Sequence, residues 1–286
     1  MGIPAEAVFC HGAIAEGAVS APEPELKHTL LLIVNSYDTH TGSMTQLQVH
    51  TSAATAALEK WFSELPPELT VDTSDPTKTY LPHILVLHLQ YHEAIIFANH
   101  PFITMPRTSQ TADSRRKYTE SAKEITRLVL IYDRLWTLRR INIQSIHHMF
   151  TACMVHLYIA CTSGSQETHA LAVTDFEVCC NAIKDTAQSY PRLSTWQLRS
   201  IDRVRQVWYD MLENQNQNQP YMTELGCVQS PWPQGHERWA PIEAAIKNAM
   251  APCGATSSSE EGMLWFDTWM QMQSISAVDP FSMGSA

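Results

Sequence analysis

Apolar residues are most concentrated in residues 81–104, LPHILVLHLQYHEAIIFANHPFIT. At 100° per residue, apolar side chains fall on nearly every side of a helix built from this stretch, which is typical of a helix packed among other helices. Four histidines, a glutamate and a glutamine interrupt the apolar runs. Those runs are far shorter than the ~20 residues needed to cross a bilayer. We therefore predict a core helix here and no membrane span.

Amphipathic spacing predicts one helix before this stretch and one after it. Residues 51–65 place their apolar side chains on one side and stop at Pro66. Downstream, apolar positions recur at helical spacing over residues 118–135. Asp113 or Ser114 is predicted to cap the start of that helix.

Three more helices follow in the prediction. The apolar pattern places one over residues 143–161, another over residues 168–189, and a last one from Ser194. The apolar side chains of the helix over residues 168–189 are Leu171, Val178, Ala182 and Ile183. Ser194 and Gln197 have the Ser-x-x-Gln form of a capping box. Helices in series with short links predict an all-α domain, here a helical array of about six to eight helices with a disordered C-terminal tail.

Composition divides the chain into four regions. Residues 1–50 are predicted to be a poorly ordered N-terminal segment, and residues 51–213 form the helical domain. Residues 214–256 begin with NQNQNQ and contain several prolines, so they are predicted to be a linker. Residues 257–286 form a separate acidic and aromatic segment.

This last segment contains no Lys or Arg and sets acidic residues among bulky apolar ones. Its main apolar side chains are Leu264, Trp265, Phe266 and Trp269. Such a composition is typical of a disordered activation segment that docks into a groove of a coactivator. A C-terminal helix that packs back on the domain is the alternative interpretation.

The net charge of the chain makes some classes of function less favourable than others. The chain has 19 Lys and Arg against 29 Asp and Glu, a formal net charge of −10, which disfavours nonspecific binding to nucleic-acid phosphates. Residues 107–140 are the exception, with nine basic against four acidic side chains. Four of these basic side chains cluster near the predicted start of the helix: Arg107, Arg115, Arg116 and Lys117. They are interpreted either as a patch for nuclear import or anion contact, or as a solvated helix start.

Cysteine usage and motifs limit the chemistry further. Seven cysteines, odd in number and scattered, predict buried free thiols in a reducing compartment. The six-cysteine pattern of a binuclear zinc cluster is absent. The chain also lacks a Gly-x-Ser-x-Gly motif, a phosphate-binding Gly loop and a paired-carboxylate motif, so no catalytic residue is predicted.

His88 and His92 stand four residues apart, which places both imidazoles on one helical face. They could bind zinc or nickel if His147, His148 or His156 supplied a third ligand. Alternatively, they pack in the core and hydrogen-bond to neighbouring helices. We adopt the core interpretation and predict no metal and no other cofactor in this chain.

The same helix carries a family resemblance. Residues 88–92, HLQYH, followed by residues 98–101, ANHP, resemble the Leu-His-Leu-x-Tyr-His and Leu-His-Arg-Pro elements in the middle regulatory region of fungal zinc-cluster transcription factors. The second element departs from that pattern at the Arg position. Residues 58–69 and 121–142 extend the resemblance, which runs from about residue 53 to residue 214 and is strongest to factors similar to the fungal nitrate-assimilation regulator.

The resemblance implies the regulatory and activation part of a nuclear activator that controls transcription by RNA polymerase II. It implies coactivators as partners through the C-terminal tail, no membrane, and a second copy of the chain as a further candidate partner. DNA binding is implied only through a zinc-cluster domain, with its zinc, that is absent from this chain. Either the chain is a fragment or a shortened gene model, or it is a truncated relative that acts without its own DNA-binding part.

The candidate ligand-contacting or core residues implied by the resemblance are His88, Tyr91, His92, His100 and Pro101. A small-molecule pocket is expected between the helices near His88 and His92, beside the aromatic residues Tyr91, Phe97 and Trp136. No enzymatic activity is predicted. The alternatives are a helical metal- or small-molecule-binding enzyme that uses His88 and His92, and a plain protein-interaction scaffold.

Overall fold

The structure, a computed structural model, describes residues 44–103 and 108–217. These residues form six α-helices: α1 (Met44–Ser63), α2 (Pro82–Asn99), α3 (Ser109–Trp136), α4 (Gln144–Thr162), α5 (Gln166–Thr186) and α6 (Pro191–Gln217). Single turns of 3-10 helix lie at Pro67–Leu69, His100–Phe102 and Leu138–Arg140. Within these two stretches there is no strand, which confirms the all-α prediction. The acidic and aromatic segment, residues 257–286, lies outside the described residues.

The first two helices are bounded by proline. α1 starts at Met44, earlier than the predicted residue 51, because neither Gly nor Pro occurs between Met44 and the end of this helix at Ser63. It stops before Pro66, as predicted. α2 has Pro82 in its first turn, where the missing proline N–H has no intrahelical partner to lose. It ends at Asn99, just before Pro101.

α2 and α4 form the centre of the fold. α2 is buried on nearly all sides, as predicted, and packs against α1, α3 and α4. α4 is enclosed even more fully, since every residue from 145 to 161 is buried among α2, α3, α5 and α6. Although both are apolar, no helix in the described part of the chain is long and apolar enough to cross a membrane.

α3 starts at Ser109, earlier than a cap at Asp113 or Ser114 would allow. Its N-cap is Thr108, whose hydroxyl accepts a hydrogen bond from the Thr111 N–H, while the Thr111 hydroxyl accepts one from the Thr108 N–H. This reciprocal pair satisfies two backbone donors at the helix start. The prediction of a cap at Asp113 or Ser114 was therefore wrong.

α5 agrees only in part with the prediction. Of the four apolar residues placed on it, Ala182 and Ile183 are buried, whereas Leu171 is 60% exposed. The buried stripe instead follows Ala172, Phe176, Cys179 and Ile183 at helical spacing. Because a stripe that includes cysteine and alanine carries a weak hydrophobic signal, Leu171 dominated the sequence pattern although it lies on the solvent face.

α6 begins at Pro191 rather than at Ser194. Proline is favoured in the first turn of a helix, so Pro191 itself marks the start. Ser194 and Gln197 are both buried within the helix, and the Ser194 hydroxyl lies 2.9 Å from the Thr186 hydroxyl at the end of α5. The predicted capping box was therefore wrong, and Ser194 links two helices instead.

Candidate functional site

His88 is a core residue of α2 that is anchored to the link between α1 and α2. Its side chain is 3% exposed, and its Nε2 lies 2.8 Å from the Leu69 carbonyl oxygen. Since a carbonyl only accepts hydrogen bonds, Nε2 carries the proton and cannot bind a metal. Burial lowers the pKa of His88, with the bond to Leu69 partly opposing this effect, so the ring is neutral near pH 7.

Tyr91 and His92 belong to an aromatic cluster that joins α1 to α2. The Phe62 ring of α1 stacks on the Tyr91 ring with centroids 3.8 Å apart. The same Phe62 ring meets His88 and His92 edge-on, at centroid distances of 4.9 Å and 5.8 Å. Burial and the neighbouring His88 lower the pKa of His92 to about 3. The two imidazoles at i and i+4 therefore act as neutral packing groups.

The second signature element forms the turn after α2. His100 opens the 3-10 helix His100–Phe102, which contains Pro101. The His100 Nδ1 lies 3.3 Å from the Tyr118 hydroxyl, and the Asn99 amide donates to the Ile95 carbonyl at 2.8 Å. The signature residues thus connect α2 to α1, to α3 and to the links between these helices. These residues are His88, Tyr91, His92 and His100, and their packing supports the core interpretation of the signature.

The basic start of α3 makes internal contacts. Arg115 donates through Nε and Nη2 to the Ile103 carbonyl oxygen, both at 3.1 Å, and so holds the turn after α2. Arg116 and Lys117 each pair with a carboxylate, at 2.6 Å and 2.7 Å. Arg107 lies outside the described residues. These contacts favour the interpretation of the three side chains as part of a helix start over that of a nuclear-import or anion-contacting patch.

A cluster that the sequence analysis did not assemble lies between α2 and α4. Glu93, His147 and His148 are only 2%, 4% and 1% exposed. The two Glu93 carboxylate oxygens lie 2.7 Å from the His147 Nδ1 and 2.8 Å from the His148 Nδ1. Thr151 donates to the same carboxylate at 3.1 Å. Glu93, His147 and His148 each offer one ligand atom. The three atoms lie within 4.8 Å of one another, which is close enough to hold a metal ion.

The electrostatics of this cluster favour an ionised carboxylate. Burial raises the pKa of Glu93, but the two adjacent imidazoles, His148 and His147, outweigh it through charge and hydrogen bonding and hold the pKa below its usual value. A sequence signal for the cluster existed, because a glutamate in an almost wholly apolar helix requires a buried partner. The partner could not be identified, since Glu93 and His147 are 54 positions apart in the chain.

Four cysteines of α4 and α5 are buried free thiols, as predicted: Cys153, Cys161, Cys179 and Cys180. The Cys153 and Cys180 sulfurs lie 3.7 Å apart. The Thr126 hydroxyl lies 3.3 Å from the Cys179 sulfur and 2.7 Å from the His156 Nε2. The hydrogen bond from Cys153, together with His156, lowers the pKa of Cys179, whereas burial raises that of Cys153. These thiols lie on helices, and Cys10, Cys227 and Cys253 lie outside the described residues.

A polar cavity of about 160 Å³ lies between α1, the end of α2 and the start of α3. The hydroxyls of Thr51 and Thr55 line it, are buried, and have no hydrogen-bond partner among the described residues. Asn99 and the Lys117–Glu59 ion pair complete its polar wall. The expected pocket beside His88, His92 and Tyr91 is a different place, and it stays a prediction.

The aromatic residues expected beside that pocket differ in exposure. Phe97 is 3% exposed, and its ring centroid lies 6.2 Å from that of His147. Trp136 is 40% exposed, and its indole N–H donates to the Tyr80 carbonyl oxygen at 2.8 Å. Phe97 therefore belongs to the core beside the Glu93 cluster, whereas Trp136 fastens the end of α3 to the segment that precedes α2.

Comparison with known proteins identifies fungal relatives. The chain is 29% identical over 103 residues to the nitrogen assimilation transcription factor nit-4 of Neurospora crassa. It is 28% identical over 104 residues to the nitrogen assimilation transcription factor nirA of Emericella nidulans. Each match covers 35% of this chain, but only 9% and 11% of the respective relatives. No protein-family model matches the chain, and no solved structure matches it.

These matches agree with the family resemblance seen in the signature of α2. The chain thus spans about a tenth of the length of the curated relatives that it matches. Both relatives are named as transcription factors of nitrogen assimilation. The predicted resemblance to fungal nitrogen-assimilation transcription factors is confirmed.

Proposed function

We propose that this chain is the regulatory and activation part of a fungal transcription factor that controls transcription by RNA polymerase II in the nucleus. The observation that carries the proposal is the similarity over 103 residues to a protein named a nitrogen assimilation transcription factor. DNA binding is expected only in a longer form with a zinc cluster, because the seven cysteines of this chain are scattered rather than grouped.

The packing of His88 and His92 bears on the enzyme alternative. His88 donates through Nε2 to the Leu69 carbonyl, and burial keeps His92 neutral. An enzyme that uses this pair would need an imidazole that reaches substrate or metal. Both rings are instead packed against Phe62 of α1. This packing argues against the alternative of an enzyme that uses His88 and His92.

The proposal gives a separate role to each of two parts of the chain. Residues 51–213 form the regulatory domain, and residues 257–286 activate transcription by docking Leu264, Trp265, Phe266 and Trp269 into a coactivator. The tail carries no basic side chain, so its acidic groups keep the aromatic residues in solution until they bind. A second copy of the chain is a further candidate partner of the regulatory domain.

A reporter assay tests the proposal. The full chain, residues 1–256 and residues 257–286 are each fused to an unrelated DNA-binding domain, and transcription is measured from a promoter that carries its site. We expect activation by the full chain and by residues 257–286, and none by residues 1–256. If residues 51–213 restrain the activator, the tail alone will exceed the full chain.

A matched pair of variants assigns the activity to side chains. Replacing Leu264, Trp265, Phe266 and Trp269 together by alanine is expected to abolish activation. Replacing Ser257, Ser258 and Ser259 by alanine is the control and should leave it unchanged. Equal protein levels are verified by immunoblot. If the fusions of the full chain and of residues 257–286 are both nuclear, stable and silent, the activator proposal is contradicted and the protein-interaction scaffold becomes the better description.

A further inference from the structure

The cluster of Glu93, His147 and His148 has the composition of a transition-metal site. One carboxylate and two imidazoles are the donor types that zinc and related divalent ions prefer. The three side chains come from two helices that pack directly on each other, α2 and α4. Their positions are therefore fixed by the core and not by a loop.

The hydrogen bonding of the cluster is incomplete without a further group. The His147 Nδ1 bonds to Glu93, but the His147 Nε2 is buried without a partner among the described residues. Neither ring nitrogen of His148 makes a well-aligned hydrogen bond, although its Nδ1 lies 2.8 Å from a Glu93 oxygen. Buried polar atoms are normally satisfied, and an ion between the three side chains would satisfy the His148 Nδ1, while the two Nε2 atoms would still need other partners.

The three side chains lie close enough together to share an ion, and a small separation between them would admit it. In a tetrahedral zinc site with bonds of about 2.0–2.1 Å, neighbouring ligand atoms lie roughly 3.3 Å apart. The His147 Nδ1 lies 2.7 Å from one Glu93 oxygen and the His148 Nδ1 lies 2.8 Å from the other. An ion bound to both imidazoles and the carboxylate therefore needs each of these pairs to open by about half an ångström. The Thr151 hydroxyl, 3.1 Å from Glu93 and 3.4 Å from His147, or a water molecule supplies a fourth oxygen ligand.

We propose that Glu93, His147 and His148 bind one divalent transition-metal ion of the zinc class, which ties α2 to α4 in the core. Because all three ligands are buried, the site is closed and structural rather than catalytic. The ion enters as the chain folds, so its binding contributes to folding stability. This inference departs from the sequence-based prediction that the chain holds no metal, and it does not depend on the proposed role in transcription.

Metal analysis of the full-length chain tests the site. The protein is produced in medium supplemented with zinc, purified without chelator or affinity metal, and analysed by elemental mass spectrometry. We expect about one zinc per chain. Protein that is unfolded with a strong chelator and then refolded without metal should have a lower Tm than the zinc-containing protein. Fully folded wild-type protein that contains no metal and shows no Tm change on zinc addition would overturn the proposal.

Variants and cobalt locate the ion. The variants Glu93→Gln and His148→Gln should each lose the metal, whereas His83→Gln, which alters an exposed histidine of α2, should keep it. Cobalt in place of zinc should give visible d–d bands without sulfur-to-cobalt charge-transfer absorption, and Cys153→Ser with Cys180→Ser should leave the metal content unchanged. If the cluster variants do not fold, the cobalt spectrum of the wild-type protein still shows where the ion binds. Sulfur-to-cobalt absorption would place the ion at the thiols and contradict the proposed site.

Discussion

Thr137 ends α3 with a backbone φ of 65°, a conformation that β-branched residues rarely adopt. Its N–H donates to the Asp133 carbonyl at 3.1 Å, and the chain then turns into the 3-10 helix Leu138–Arg140. Leu138 is buried, so the turn is held by the core on its far side. The surrounding structure therefore imposes this backbone geometry on an unsuitable residue.

Replacement of Thr137 by glycine is expected to raise the free energy of unfolding by about 1 kcal/mol, since glycine adopts positive φ without a steric penalty and this gain exceeds its entropic cost. Thr137→Ala is the control, because alanine removes the β-branch but keeps most of the backbone strain. Urea denaturation of the three proteins measures the difference. A Thr137→Gly protein less stable than Thr137→Ala would show that the turn is not strained.

His92 makes stability depend on pH in a defined window. Its pKa is lowered from 6.5 to about 3 by burial and by His88, so below pH 6.5 the unfolded chain binds a proton that the folded chain excludes. Stability is therefore full above pH 6.5 and falls as the pH falls, by about 2 kcal/mol at pH 5. Glu93 contributes only at lower pH, because its reference pKa is 4.5.

The variant His92→Gln is expected to reduce this loss between pH 7.5 and pH 5, measured by urea denaturation at each pH. A residual slope will remain, since the pKa of His88 is also lowered by burial. His83→Gln, at an exposed position of the same helix, is the matched control and should retain the wild-type slope. An unchanged slope in His92→Gln would mean that His92 titrates normally in the folded protein.

At the scale of helices, the hydrophobic period predicted the elements well and their ends less well. The period located α2, α3 and α4, because long apolar or amphipathic runs carry a strong signal. It misplaced the start of α3, since Thr108 and Thr111 form their capping box through two threonine hydroxyls rather than the expected acidic or serine cap. Sequence also placed His88 and His92 on a core helix but could not pair Glu93 with α4, because helix packing alone brings them together.

The buried stripe of α5 predicts different outcomes for two apolar residues. Phe176→Ala should lower the free energy of unfolding by about 3–4 kcal/mol, because Phe176 is buried on the stripe that faces α4. Leu171→Gln should change it by less than about 0.5 kcal/mol, because Leu171 is 60% exposed. Urea denaturation measures both. A large loss from Leu171→Gln with a small loss from Phe176→Ala would contradict this buried stripe.

At the scale of the molecule, one hydrophobic core connects all the helices. Its buried residues run from Leu58 of α1 to Trp208 of α6. α4 lies at its centre and α2 beside it, so the signature of α2, the Glu93 cluster and the thiols of α4 and α5 all belong to the same packed interior. A change in any of them is therefore expected to affect the whole domain cooperatively.

A chain limited to residues 44–217 is expected to fold on its own, because the described core lies between Leu58 and Trp208. It should unfold in a single cooperative transition, followed by circular dichroism, with a Tm within a few degrees of that of the full chain. The fragment ending at residue 189 is the matched test, since it removes Ile201, Val204 and Trp208 of α6 from the core and should lose the transition. Loss of cooperativity in residues 44–217 would instead show that the helical domain requires segments beyond these six helices.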